Sequence, residues 1–280
     1  MQKIKALISI TRPLNCLITF LTIVAACFIC ADLPNYKIVI IAGLAGVAIN
    51  AGGNIINDFF DIKIDKINRP NRPLPSGLIS STKALEVYVY FTFFAFSLSY
   101  YNLGLSAFKV VVITSILMFL YSYYFKGIPL IGNIVVAFST GLAFLFGSIV
   151  VGNIYCGIIP SVFAFLISLM RELVKDIEDI NGDKTIGIST YPIKFGVDNS
   201  VKLISIIGVL LIISTTIPFL LKIYNLYYFI FVSLFVNGIL AFVIRSLKLD
   251  TSPNTLRKVS NLLKLGMVFG VIAILIGTKL

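Results

Sequence analysis

Carboxylates occur in this chain in two groups that share one spacing. The first group, at relative positions 0, +3 and +7, consists of Asp58, Asp61 and Asp65, and the second lies 118 residues further on. The members of the second group are Asp176, Asp179 and Asp183. At about 100° per residue, three such positions fall on one face of a helix. Because acidic side chains beside an apolar segment need a cation among them, the pattern predicts one cation site built from two halves.

The ligand chemistry of the two groups favours magnesium. Mg²⁺ prefers oxygen ligands and commonly bridges carboxylates to the phosphates of a substrate. The chain has no histidine, which excludes imidazole metal sites and catalysis by a histidine base. We therefore predict all six aspartates as Mg²⁺ ligands and catalytic residues. Neighbouring residues predicted to contact the substrate or to add oxygen ligands are Asn54, Asn57 and Glu172.

Basic side chains near the acidic groups favour a substrate that carries phosphate. Arginine binds phosphate oxygens with two parallel hydrogen bonds. Arg72 begins the segment RPLPSG, in which two prolines and Gly77 restrict the shape of the loop. The residues predicted to reach phosphate oxygens are Arg69, Arg72, Lys126 and Lys184.

Composition places the chain in the membrane. Of its 280 residues, 58% are hydrophobic and 12% are charged, with a mean hydropathy of +1.00. Soluble domains carry about 25% charged residues, so the lipid bilayer is the expected surrounding. The net charge of +11 does not predict nucleic-acid binding, because the basic residues are interspersed between apolar spans, and no protein partner is predicted. The four cysteines are expected to be small buried apolar residues.

Nine apolar segments are long enough to cross a bilayer. The predicted fold is therefore an all-α, polytopic bundle of nine transmembrane helices in one domain, residues 1–280. The predicted spans are 14–31, 38–58, 84–101, 107–124, 131–151, 156–174, 200–221, 226–244 and 261–278. The acidic groups end spans two and six, which predicts two tandem four-helix halves, about 1–126 and 127–244, and a separate ninth helix. Glycines in spans two and five are expected to allow close helix packing.

The distribution of basic residues predicts which side of the membrane each loop faces. With nine spans, 19 of the 23 Lys and Arg residues lie on the side that holds the N-terminus and both acidic groups. The four on the opposite side are Lys37, Lys109, Lys222 and Lys279. Because cytoplasmic loops carry an excess of Lys and Arg, we expect a multi-pass protein of the cell membrane with its site on the cytoplasmic side.

These motifs resemble those of the UbiA superfamily of intramembrane prenyltransferases. The resemblance rests on N-D-x-x-D-x-x-x-D at 57–65, on RPLPSG, and on the second acidic motif, RELVKDIEDINGD, at 171–183. The segment YSYYFK at 121–126, followed by Asn133, is similar to the tyrosine and lysine signature of the family. Thr11-Arg12-Pro13 matches its usual start, which adds Arg12 to the predicted substrate-binding residues and Tyr121 and Lys126 to the catalytic ones.

The resemblance implies a reaction. The second acidic motif is most similar to the branch of the family that builds archaeal ether lipids. It implies Mg²⁺-dependent transfer from geranylgeranyl diphosphate to the glycerol 2-hydroxyl of 3-O-geranylgeranylglyceryl 1-phosphate, with release of pyrophosphate. Aromatic side chains near Tyr121 would face the allylic cation through their π faces. No residue is singled out as the general base, although Asp58 or another carboxylate is a candidate.

Two alternatives stay open from the sequence. One is an aromatic polyprenyltransferase of quinone or haem biosynthesis, which would use the same acidic motifs with another acceptor. The other is a cation-coupled membrane transporter, since such proteins also place acidic residues in their membrane spans. The position of the acids at the ends of spans, beside arginine-rich loops, favours the enzymes.

Overall fold

The chain folds into α-helices in a computed structural model that describes residues 2–185 and 187–279. The described residues contain nine long helical segments. In chain order these are α2 (Pro13–Cys30), α3 (Tyr36–Phe60), α5 (Ser81–Asn102), α6 (Leu105–Tyr123), α7 (Ile131–Val150), α8 (Ile154–Glu178), α11 (Val197–Leu220), the pair α12 (Leu226–Phe231) and α13 (Gly238–Leu249), and α14 (Pro253–Lys279). A π-helical stretch, Val232–Asn237, joins α12 to α13.

Short helices occupy the N-terminus and two of the connections. They are α1 (Gln2–Ile10), α4 (Ile62–Asn68), α9 (Ile180–Thr185) and α10 (Tyr191–Phe195), and a 3₁₀ turn covers Phe125–Gly127. The helices α4 and α9 each follow a long helix that carries an acidic group. The chain therefore repeats one local arrangement, a long helix followed by a short one, at both acidic groups.

The predicted all-α membrane fold is confirmed. Eight of the long segments in the described chain are long and apolar enough to cross a membrane. The remaining one, α5, has 22 residues and matches the predicted third span, but its tyrosines and Glu86 make it less apolar than the others. The protein is a multi-pass membrane protein.

The start of the last helix differs from the sequence prediction. The ninth span was expected at 261–278, whereas α14 begins at Pro253. Arg257 and Lys258, which precede the predicted span, are exposed on this helix, while Leu256 and Val259 are buried. Basic residues are good helix formers, so their charge ends the apolar span without ending the helix.

The described residues form two compact units, 1–125 with 142–157 and 126–141 with 158–280. In the first unit α2, α5 and α6 pack against α3, around a core that includes Ile23, Ala42, Ala45 and Ala95. In the second unit α11 and α14 pack against α13. The duplication of two four-helix halves stays a prediction from the sequence.

A smaller apolar core of the first unit lies beside the RPLPSG loop. Ala6 and Ile10 of α1 pack there with Ile55 of α3, with Leu74 of the loop and with Ile79, two residues after it. All five side chains are buried. At about 0.8 kcal/mol per buried methylene, this contact anchors the loop firmly to the end of α3.

The expectation for the cysteines is wrong for two of the four. Cys30, the last residue of α2, forms a disulfide with Cys156 in the first turn of α8, with Cα atoms 5.5 Å apart. Sequence spacing did not reveal this pair because the two residues are 126 positions apart. Cys16 and Cys27 are free and buried, as expected.

The predicted close packing of helices at glycines is confirmed at Gly147, where an added Cβ atom would collide with the backbone of a neighbouring helix. A Cβ built on Gly147 of α7 would lie 2.6 Å from Ala26 Cβ and 2.9 Å from the Ile23 carbonyl oxygen of α2. A helix backbone cannot shift as a flexible side chain can. Gly147 therefore sets the distance between the two helices in the first unit.

We expect Gly147→Ala to lower the free energy of unfolding by about 1–3 kcal/mol, because the added methyl group overpacks this contact. Gly270 of α14 is the matched control, since a Cβ there meets no atom within 4 Å. Gly270→Ala should be neutral or stabilising by up to about 1 kcal/mol, as expected for Ala in place of Gly in a helix. Thermal unfolding in detergent measures both, and equal midpoints for the two variants would contradict this account of the packing.

Candidate active site

The first acidic group lies where α3 ends. Asp58 is in the last turn of α3, Asp61 joins α3 to α4, and Asp65 lies in α4. Their exposed fractions are only 4%, 6% and 5%. The Asp61 N–H donates to the Asn57 carbonyl oxygen at 3.0 Å, and the Asp65 N–H donates to the Asp61 carbonyl oxygen at 2.8 Å. Helical hydrogen bonding thus continues through the joint.

Two arginines bind the carboxylates of this group. Arg72 Nη1 donates to Asp65 Oδ2 at 2.7 Å and to Asp58 Oδ1 at 3.2 Å. Arg12 Nη2 donates to the same Asp58 oxygen. Buried carboxylates without such partners would be strongly destabilising. The guanidinium groups therefore supply the cation that the sequence pattern requires.

The turns of the RPLPSG loop position Arg72 beside the carboxylates of the first group. The Arg72 N–H donates to the Arg69 carbonyl oxygen, and the Ser76 N–H donates to the Arg72 carbonyl oxygen, both at 3.0 Å. Gly77 then adopts a φ of +75°, a conformation that favours glycine. Leu74, two residues after Arg72, is buried in the smaller core. These contacts hold the arginine over the end of α3.

The predicted asparagines donate hydrogen bonds within the first unit. The Asn57 amide donates to Asp61 Oδ2 at 3.0 Å. The Asn54 amide donates to the Thr11 carbonyl oxygen at 3.0 Å and to Asn50 Oδ1 at 2.8 Å. In this structure both side chains therefore orient protein groups next to the carboxylates.

The second acidic group repeats the local plan of the first. Asp176 is in the last turn of α8, Asp179 joins α8 to α9, and Asp183 lies in α9. The Asp179 N–H donates to the Lys175 carbonyl oxygen at 2.9 Å, and the Asp183 N–H donates to the Asp179 carbonyl oxygen at 3.0 Å. The middle aspartate thus stands at the joint in both groups. The second group is more open, since Asp176 and Asp183 are half-buried and Asp179 is exposed.

Different partners bind the acids of the second unit. The buried Asn133, in the first turn of α7, donates from Nδ2 to Asp176 Oδ2 at 2.8 Å. Glu172, one turn before Asp176, pairs with Lys175 at 2.9 Å and with Arg171 at 3.1 Å. Glu172 is therefore engaged by basic residues of its own helix, although its spacing matches that of Asn54.

Four other predicted residues lie at the ends of helices. Tyr121 is half-buried in the last turn of α6, and Lys126 is half-buried in the 3₁₀ turn. Arg69 follows α4, and Lys184 lies in α9, both with exposed side chains. Their predicted roles in substrate binding and catalysis stay predictions.

The first group has the ligand chemistry of a magnesium site, namely buried carboxylate oxygens. Asp58 and Asp65 each direct an oxygen at a single cationic nitrogen, Arg72 Nη1, and Asp61 lies between them in the chain. Buried carboxylate oxygens that converge on one cation are the ligand type that Mg²⁺ prefers. Within residues 2–185 and 187–279, no three acidic or cysteine side chains form a ready metal site. In the first group the arginine nitrogens lie against the oxygens that a metal would take.

Sequence reasoning missed Asn50 and the contact that Asn133 makes. Asn50, Asn54 and Asp58 follow one another at intervals of four residues in an otherwise apolar helix. This spacing places polar groups on one stripe of α3 and is a signal that points to Asn50. The partner of Asn133 is 43 residues away in the chain, so spacing alone does not identify it.

Comparisons with known proteins identify the family of this chain. The model of the UbiA prenyltransferase family matches residues 18–274. A protein of Thermococcus sibiricus named digeranylgeranylglyceryl phosphate synthase is 38% identical over 278 residues, which cover 99% of this chain and 98% of that protein. These matches confirm the family resemblance and favour the prenyltransferase over the transporter alternative.

Solved structures share the fold. A structure described as digeranylgeranylglyceryl phosphate synthase in membranes has a TM-score of 0.86 and 30% identity, and the alignment covers 99% of both chains. A UbiA homologue from Archaeoglobus fulgidus, bound to DMAPP and Mg²⁺, has a TM-score of 0.72 and 18% identity, covering 96% of this chain and 98% of that one. At that identity the second likeness concerns the fold alone. With its buried acidic motif and the match over almost its whole length, this chain belongs to the UbiA prenyltransferase family.

Proposed function

We propose that this prenyltransferase transfers a geranylgeranyl group to the glycerol 2-hydroxyl of 3-O-geranylgeranylglyceryl 1-phosphate. The donor is geranylgeranyl diphosphate, and the product is an archaeal ether lipid precursor. The observation that carries the proposal is the buried Asp58, Asp61 and Asp65 group with its two arginines, in a chain that is 38% identical to a protein named digeranylgeranylglyceryl phosphate synthase.

In the proposed reaction one bond breaks and one bond forms at the allylic C1 carbon. The C1–O bond of the diphosphate breaks, and its electron pair leaves with the diphosphate oxygen. The glycerol 2-hydroxyl oxygen then bonds to C1, and its proton passes to a carboxylate or to water. Charge on the leaving diphosphate must be neutralised for this to occur at a useful rate.

Asp58, Asp61 and Asp65 are the proposed ligands of Mg²⁺ in the first unit, and Asp176, Asp179 and Asp183 in the second. The UbiA homologue bound to DMAPP and Mg²⁺ supports this choice of metal. When bound, Mg²⁺ would neutralise negative charge on the diphosphate. That both groups act on one diphosphate stays a prediction from the sequence.

Arg12 and Arg72 are proposed to change partners when substrate binds. Both now pair with carboxylates of the first group. With a metal at those oxygens, the guanidinium groups would be free to donate to the non-bridging oxygens of the diphosphate. Both side chains are partly exposed, at 32% and 22%, so their charged ends remain within reach of a ligand.

We also propose that the first acidic group faces the cytoplasm. Arg12 and Asp58 lie at one end of α2, and Cys30 lies at the other, about 27 Å away for 18 residues at 1.5 Å each. This length matches the hydrocarbon core of a bilayer, about 30 Å thick. Disulfides persist in oxidising surroundings, so the Cys30–Cys156 bond favours an outside location for its end of α2. The count of basic residues supports the same orientation.

The transfer reaction itself is the first prediction from this proposal. Purified protein with Mg²⁺ and labelled geranylgeranyl diphosphate should alkylate 3-O-geranylgeranylglyceryl 1-phosphate and leave 4-hydroxybenzoate and a naphthoate unchanged. Turnover with an aromatic acceptor alone would replace the proposal with the aromatic polyprenyltransferase alternative.

In the same assay, Asp58→Asn and Asp61→Asn should each lower kcat/KM by at least about tenfold at saturating Mg²⁺, as expected for loss of a metal ligand. The matched control is Asp250→Asn, because Asp250 accepts hydrogen bonds from Ser252 and Thr255 before α14 and belongs to neither acidic group. Near-normal turnover by Asp58→Asn and Asp61→Asn would contradict the assignment of these carboxylates.

A further prediction concerns Arg72 and the stability of the protein without Mg²⁺. Arg72→Ala removes a partner of two buried carboxylates and should cost about 3 kcal/mol of unfolding free energy without Mg²⁺. Saturating Mg²⁺ should recover most of this difference from the parent, because a metal at the same oxygens replaces the lost cation. The control is Arg69→Ala, at an exposed position of the same connection, which should change the unfolding free energy little. If Arg72→Ala lowers the unfolding free energy equally with and without Mg²⁺, the metal does not bind at the oxygens that Arg72 contacts, and this proposal is contradicted.

Another prediction concerns the side of the membrane on which the disulfide and the RPLPSG loop lie. In intact cells, reduction with a membrane-impermeant phosphine followed by an impermeant maleimide should label Cys30 and Cys156. A cysteine placed on the exposed Ser76 of the RPLPSG loop should be labelled only after the membrane is opened. Mass spectrometry of the peptides identifies the labelled residues. Labelling of Ser76→Cys in intact cells, with Cys30 and Cys156 protected, would reverse the proposed orientation.

A further inference from the structure

The break between α1 and α2 leaves the Thr11 carbonyl oxygen without its helical partner. Pro13 begins α2, and Arg12 precedes it with a φ of +53° and a ψ of +72°, in the left-handed region. In a continuous helix the Thr11 carbonyl oxygen would accept from the Asn15 N–H. Here that N–H donates to the Arg12 carbonyl oxygen at 2.9 Å instead.

Asn54 supplies the missing donor. Its Nδ2 donates to the Thr11 carbonyl oxygen at 3.0 Å, and the Cys16 thiol lies 3.2 Å from the same oxygen. A thiol is a weak donor, whereas an amide N–H is a strong one. Asn54 is therefore the main group that satisfies this carbonyl.

A chain of hydrogen bonds fixes the Asn54 side chain. Its Nδ2 also donates to Asn50 Oδ1 at 2.8 Å, and Asn50 Nδ2 donates to Thr19 Oγ1 at 2.8 Å. Thr19 Oγ1 donates in turn to the Asn15 carbonyl oxygen at 3.1 Å. The polar stripe of α3 is thus tied to α2 over two turns.

Two positions of α3, one turn apart, bind two consecutive residues of the break. Asn54 binds the backbone of Thr11, and Asp58 binds the side chain of Arg12. Because φ and ψ of Arg12 determine where its side chain points, holding the Thr11 carbonyl also directs the guanidinium. A left-handed conformation is unfavourable for arginine and persists only when its surroundings enforce it.

We propose that Asn54 is a positioning residue that acts through Arg12, by its N–H group, rather than a direct ligand of metal or substrate. This rests on the proposed function, in which Arg12 donates to the diphosphate. The consequence is specific: loss of the Asn54 donor should weaken diphosphate binding as much as loss of Arg12 does, and the two losses should not add.

A double-mutant cycle tests this coupling. Asn54→Leu and Arg12→Ala should each raise KM for geranylgeranyl diphosphate about five- to tenfold with a smaller change in kcat, and the double variant should exceed Arg12→Ala by no more than about twofold. Additive losses would overturn the proposal. Asn102→Leu is the matched control, since the Asn102 amide donates to a backbone carbonyl, that of Leu98, at the far end of α5. It should leave both constants unchanged.

Asn54→Asp separates the donor role from a ligand role. Aspartate keeps an oxygen at this position and carries no N–H group. We expect its KM to rise at least as far as that of Asn54→Leu. A KM like that of the parent, together with a higher affinity for Mg²⁺, would assign Asn54 as a ligand and overturn the proposal. If Asn54→Leu does not fold, Asn54→Ser replaces it, since serine keeps a shorter donor. Its rise in KM should be smaller, and the rises caused by Asn54→Ser and Arg12→Ala should again not add in the double variant.

Calorimetric titration with Mg²⁺ and inorganic diphosphate distinguishes the two possible failures. This binding needs no prenyl transfer, and Asn54→Leu should weaken it by about the same factor as Arg12→Ala. If the parent binds Mg²⁺ and diphosphate but transfers no prenyl group, the proposed function fails, and the positioning role is judged by binding alone. If Asn54→Leu binds as tightly as the parent, the positioning role fails whatever the activity.

Discussion

Buried carboxylates at the end of a membrane-length helix are the constraint on which the first unit of this structure depends. Asp58, Asp61 and Asp65 are almost fully buried, next to about 20 apolar residues of α3. Such charges are tolerated only with a cation among them. Arginines from two separate segments provide it. The same oxygens are suited to a magnesium ion, so the need for a cation links the stability of the fold to the proposed chemistry.

Much of the surrounding structure positions the two guanidinium groups beside these carboxylates. The break at Arg12 turns one guanidinium towards Asp58, and the RPLPSG loop, anchored by Leu74, brings the other. Asn54 lies one turn from Asp58 and holds the backbone on which the first arginine is carried. The second unit has an Asn133–Asp176 hydrogen bond and acidic residues at the same relative positions of a long and a short helix. A similar arrangement of acids is therefore supported by different neighbours in the two units.

Sequence patterns predicted the long helices and the residues of the acidic groups, because these depend on local information. Apolar segments of spanning length identify membrane helices, and a spacing of three to four residues identifies one helix face. What the sequence did not predict depends on contacts between distant residues. The Cys30–Cys156 disulfide and the Asn54–Thr11 contact join residues 126 and 43 positions apart. The early start of α14 was missed for another reason: charge limits an apolar span, but it does not end a helix.

A structure with Mn²⁺ and a non-hydrolysable geranylgeranyl thiodiphosphate would test the central claim most directly, because Mn²⁺ can be located by its anomalous scattering. We expect an anomalous peak in contact with the carboxylates of Asp58, Asp61 and Asp65, with the Arg72 guanidinium moved from Asp65 onto the diphosphate. No metal at these three carboxylates, with Arg72 still paired to Asp58 and Asp65 beside an ordered diphosphate, would contradict the account.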